Sequence, residues 1–135
     1  MICDHVSFSS PYFAVETGED KETNPGIYGK ALACWVAERL QAHGISVDGG
    51  VIAEDFGRCV LVRRKPFMLW VACANADGST TRWQTFIAFE NSLLNKLFRR
   101  IDPASDLQRL REHYRAIVEE VPGISDVVWE SGGPW

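Results

Sequence analysis

Phe67-Met68-Leu69-Trp70-Val71-Ala72-Cys73-Ala74 is an unbroken apolar run, bounded by Lys65-Pro66 before it and Asn75-Ala76-Asp77-Gly78 after it. Apolar residues at every position of so short a segment suit a central strand covered on both faces. The Asp-Gly pair supplies the positive φ that a tight return needs, so residues 81–89 read as the next strand back. On the other side, residues 58–64 place Val60 and Val62 on one face and Cys59 and Leu61 on the other, with Arg64-Lys65-Pro66 as the turn between. Residues 51–56 add a short strand after Gly49-Gly50. The spacing therefore predicts an antiparallel meander.

Working outward, the period changes from two to three and four. Tyr28, Ala31, Leu32, Trp35, Val36 and Leu40 form one apolar stripe, which predicts a helix opened by Asn24-Pro25 and running to about His43. Gly44 ends it as a left-handed cap with Ile45 as the accompanying hydrophobic contact. Past the meander, Leu93, Leu94, Leu97 and Phe98 predict a short helix, and Asp102-Pro103 repeats the start signal for a longer one carrying Leu107, Leu110, Tyr114, Ile117, Val118 and Val121. Residues 4–15 hold one strand or two, residues 16–23 an exposed acidic loop, and residues 126–130 a final edge strand. The predicted fold is α+β: four to five antiparallel strands with two long amphipathic helices and one short helix on one face. Residues 1–130 should make a single domain, with 131–135 as a flexible tail.

The 135 residues carry a formal charge of −4, with 46% hydrophobic and 24% charged residues. That balance is ordinary for a globular chain and gives no general attraction to phosphate or anionic lipid. Nucleic acid and membrane are therefore not expected partners, and the clusters Arg63-Arg64-Lys65 and Arg99-Arg100 read as solvated charges. No leader or spanning segment is visible, so a cytoplasmic setting is expected, with the four cysteines as reduced, buried thiols and Cys34, Cys59 and Cys73 as inert core residues.

No catalytic set assembles from the letters. Glu54-Asp55-Phe56-Gly57 contains a kinase-like triplet without the glycine loop or catalytic loop a kinase needs, and it reads as a turn with solvated acids. His5, His43 and His113 show no metal-ligand spacing, so no metal and no cofactor are expected. Pro25-Gly26-Ile27-Tyr28-Gly29 could expose amides to an anion, or could let the helix approach the sheet closely.

The aromatic surplus is the more usable signal, since Trp70, Trp83 or Phe86 on an uncovered sheet face would form a docking surface. Function then reads as a non-enzymatic protein-interaction domain, an inhibitor or immunity-type protein that blocks a partner. Its contacts would come from Glu16, Glu19, Asp20, Glu22, Glu54, Asp55, Trp70, Trp83 and Phe86, and the acids would steer toward a basic partner. The alternative is a small-molecule or small-enzyme pocket between helices and sheet, lined by Tyr28, Trp35, Trp70 and Tyr114. Homodimerisation through a sheet edge or face is a third possibility.

Overall fold

The apolar run does become a central strand, and the computed structural model, which describes residues 1–98 and 102–130, shows what surrounds it. In chain order the elements are β1 (Ile2–Ser9), α1 (Lys30–Ala42), β2 (Val51–Glu54), β3 (Gly57–Arg63), β4 (Phe67–Asn75), β5 (Arg82–Asn91), α2 (Leu93–Phe98), α3 (Pro103–Glu119) and β6 (Ser125–Glu130). The strands form one sheet in the order β2-β3-β4-β5-β1-β6, and every neighbouring pair is antiparallel. The fold is α+β, as expected.

The sheet has six strands, more than the four to five expected, because β1 lies beside β5 and β6 pairs with its outer edge. The helices are also not the matched long pair expected: α3 has 17 residues, α1 has 13 and α2 has 6. α1 begins at Lys30, well after Pro25, because Gly26 and Gly29 adopt φ of 79° and 151° and break any helix through them. Asn24 does not cap it either; its side-chain amide donates to the carbonyl of Asp55.

At the other end of α1 the expected cap forms in full. Gly44 takes φ 81°, its N–H donates to the Gln41 carbonyl, the Ile45 N–H donates to Leu40, and Ile45 is buried. α3 opens as its sequence predicts, with the Asp102 carboxylate accepting from the Ala104 N–H at 3.0 Å.

Alternation sorts β4 and β5 into two faces. Phe67, Leu69, Val71 and Cys73 share one face with Trp83, Thr85, Ile87 and Phe89, and this face packs against Leu32, Val36 and Leu40 of α1 and Leu110, Tyr114 and Ile117 of α3. The two helices touch one another on that side. Met68, Trp70, Ala72 and Ala74, with Gln84, Phe86, Ala88 and Glu90, face the other way. The tail 131–135 and the pair Arg99-Arg100 lie outside the described residues.

Candidate functional site

The aromatic residues divide between the faces. Trp83 is 1% exposed, donates its indole N–H to the Ser10 carbonyl at 3.1 Å and meets Phe13 edge-on, so it belongs to the core and offers nothing to a partner. Trp70 and Phe86 are half-buried on the face away from α1 and α3, where Trp70 lies directly across from Leu61 and Ala88, and Phe86 from Ala72.

The acidic loop is mostly exposed, as its composition suggested, with Glu19 as the exception. Glu19, in a short 3-10 turn at residues 19–21, is buried, and its carboxylate accepts from the N–H groups of Glu16, Gly29 and Lys30. The bare amides at the start of α1 thus hold an anion that is the chain's own side chain. Asp20 accepts from the Gly26 N–H, Glu16 pairs with Lys30 at 2.9 Å, and Glu22 lies 3.2 Å from the buried guanidinium of Arg58. Arg58 also donates to the Glu19 carbonyl. Glu19 and Asp20 thus fasten residues 16–26 to themselves and to the start of α1, while the side chains of Glu16 and Glu22 stay 65% and 63% exposed. Gly29 serves close approach, since a Cβ there would sit 2.8 Å from the Cys73 carbonyl oxygen.

Glu54 and Asp55 remain exposed at the β2–β3 hairpin, whose two-residue turn is Asp55-Phe56, in keeping with the reading as solvated acids. Of the expected pocket residues, Tyr28, Trp35 and Tyr114 pack with the core and Trp70 does not. Tyr114 is buried and hydrogen-bonded to Thr85 at 3.1 Å, Trp35 packs edge-on against Phe13, Tyr28 gives its N–H to the Asn75 side chain, and Trp70 lies on the opposite face.

An apolar cavity of about 640 Å³ lies elsewhere, where α2 leaves the end of β5. Phe67, Met68, Leu94 and Phe98 line it, with Asn91 and Asn95 among its polar atoms and Arg64 and Lys65 at its margin. Asn95 is buried and donates to the Asn91 side chain, and the Ser92 hydroxyl accepts from the Asn95 N–H, which fixes the start of α2. Around the cavity Leu93, Leu94 and Leu97 are 66% to 71% exposed, and Met68 is also exposed. The leucines were legible as a short helix in the sequence, but their exposure was not, because an apolar stripe reads the same whether or not anything covers it.

A second cluster joins residues 70 positions apart. His43, at the C-terminal cap of α1, and His113, on α3, bring their Nδ1 atoms to 3.0 Å, while His43 Nε2 lies 2.8 Å from a carboxylate oxygen of Glu120. Arg39 donates to the other Glu120 oxygen at 2.8 Å. Partial desolvation pulls the Glu120 carboxyl upward, but the hydrogen bonds from His43 and Arg39 outweigh it and hold the group below the usual glutamate range. No group of three or more His, Cys, Asp or Glu side chains stands in metal-holding positions among the described residues, and no helix among them is long and apolar enough to cross a membrane.

No family model, curated protein or solved structure matches the chain.

Proposed function

We propose that this chain is a protein-binding domain whose contact surface is the α2 end of the sheet, and that its partner is a protein offering an apolar anchor flanked by carboxylates. The observation that carries this reading is the exposure of Leu93, Leu94 and Leu97 beside the apolar cavity. A short helix gains little by displaying leucines to water, and contiguous exposed apolar surface next to a concavity marks interaction sites. The charge at the margin favours such a partner: Arg64 and Lys65 stand against Glu90 among the lining residues, with Arg64 also 3.5 Å from Asp48. This differs from the basic partner expected from the acidic loop, where Glu19 is buried while Glu16 and Glu22 stay exposed. An inhibitory or immunity-type role fits such a surface, in that a partner site covered by it would be blocked.

The test compares the native chain with Leu94→Asp/Leu97→Asp, first in affinity capture from the source cells and then with the identified partner purified. The purified partner should lose at least tenfold in affinity for the variant, and glutamate-to-glutamine changes beside its anchor should weaken binding as well. Equal binding by both chains would overturn the proposal. Light scattering on the native chain alone reads the other occupant: a dimer dissolved by the double variant would put a second copy of this chain in the partner's place.

The cavity's size also favours a second reading, a small apolar ligand oriented by Asn91 and Asn95. A thermal-shift screen of apolar metabolites separates the two, since a ligand that fills the cavity raises Tm with no protein present.

A further inference from the structure

We propose that His43 and His113 form a two-imidazole site for a late first-row divalent cation, of the Ni²⁺ or Cu²⁺ type, bridging the end of α1 to α3. The reading is independent of the α2 surface. It begins with tautomers. His43 gives its Nε2–H to Glu120, so its neutral ring presents a bare Nδ1 lone pair toward His113. Without metal, His113 fills that position by donating its own Nδ1–H. Moving that proton to Nε2 of His113 leaves two Nδ1 lone pairs at one place, and an aqua ion that gives up two waters can take both without net proton release.

Ligand type selects the ion. The 3.0 Å between the Nδ1 atoms is the length of the hydrogen bond that a metal would replace. Imidazole suits late first-row divalent ions, and affinity for such a site rises through Ni²⁺ to Cu²⁺. The rings stand at 88° to one another, and their outer torsions are soft enough to turn both lone pairs toward a shared point. Water completes the sphere, since no third side chain of ligand type joins the pair among the described residues.

Glu120 is the positioning residue. Carboxylates that accept the far N–H of a ligating histidine orient the ring and raise its basicity, and Arg39 holds this one in place. Histidines at positions 43 and 113 carry no local spacing signal, so their pairing was not legible before the fold was known.

Calorimetric titration with NiCl₂, on the chain carrying Cys34→Ser to remove its exposed thiol, tests the site. One saturable site is expected, weakened at least tenfold by His43→Gln or His113→Gln, weakened roughly 10- to 100-fold by Glu120→Gln, and unchanged by His5→Gln. Magnesium should give no heat. Should a histidine variant fail to fold, the Cu²⁺ electron paramagnetic spectrum of the parent chain decides by its nitrogen count: two imidazole nitrogens support the site. A count of one or none, absence of saturable binding, or binding that survives His43→Gln/His113→Gln would overturn it.

Discussion

Asp4 sits in a bulge of β1 with φ 54°, a left-handed conformation that Asp and Asn tolerate better than most residues. The bulge brings its carboxylate to α3, where Arg111 donates to both oxygens at 3.0 and 3.2 Å and Arg115 adds a bond at 3.1 Å. Burial pushes the Asp4 pKa up, and the two guanidinium groups more than reverse it, so the folded value lies below the usual carboxyl range. A depressed folded pKa gives stability that is present above the unfolded value of about 3.9 and is lost as pH falls through the folded value. Asp4→Asn keeps the backbone conformation and removes the charge. It should cost about 1–2 kcal/mol near neutrality, the lower end for a charged hydrogen bond because both arginines are partly solvated. In urea melts that deficit should shrink as pH falls below about 3.9 and through the lower folded value, and a deficit independent of pH would show that the ion pair is not its source.

The thiols make a second prediction at this scale. Burial raises Cys73 far above the ordinary thiol range and pushes Cys59 up to about 11, while Cys34 is exposed on α1. Native protein should consume one fast equivalent of a thiol reagent, lost in Cys34→Ser, with half-buried Cys3 slower and Cys59 and Cys73 reacting only on unfolding. Fast modification of Cys73 in the native state would contradict its burial. Cys59 and Cys73 were legible as core residues from their apolar neighbours, but the same reasoning put Cys34 in the core, and it lies exposed on α1 because its helical position faces away from the sheet. The Asp4 pairing was not, because nothing local marks a bulge that meets arginines more than a hundred positions away.

Elements were readable where their end signals are local. Asp102-Pro103 and Gly44-Ile45 announced their caps because each satisfies amides or carbonyls within a few residues. The start of α1 was misread for the converse reason: its amides are satisfied by Glu19, ten residues upstream, and a solvated acidic loop looks identical in sequence to one folded back as a cap. Glu19→Gln puts a donor where an acceptor is needed, which should cost about 1–3 kcal/mol by urea denaturation. A loss under about 0.5 kcal/mol, the scale of an ordinary surface change, would refute the capping role. Gly57 makes a parallel case on β3, with φ 149° and a backbone so close that a Cβ would collide with the Cys73 carbonyl oxygen and come within 2.9 Å of Ala74. Gly57→Ala should therefore be more damaging than the ordinary strand substitution, because both the conformation and the space exclude it.

Across the whole molecule, stability and exposed surface are placed apart. One core cluster includes residues of β1, α1, β3, β4, β5 and α3, so no helix or strand among these can leave without exposing the others. None of the α2 leucines belongs to it. Two consequences can be measured together. Thermal unfolding should be a single transition in which helix loss by circular dichroism coincides with tryptophan fluorescence, because Trp83 reports the core and Trp70 the opposite face of the same sheet. Against that transition, Leu110→Ala on α3 should cost about 2–5 kcal/mol, as a fully packed leucine does. Leu94→Ser/Leu97→Ser should stay within about 0.5 kcal/mol per site, because those side chains are already in water. A double variant as damaging as Leu110→Ala would mean that α2 packs into the fold and would remove the docking surface, whereas separate transitions for the two probes would divide the core itself. The contrast between equally apolar leucines, one sealed and two displayed, turns on coverage, and coverage is a property of the assembled sheet that no stretch of the chain encodes alone.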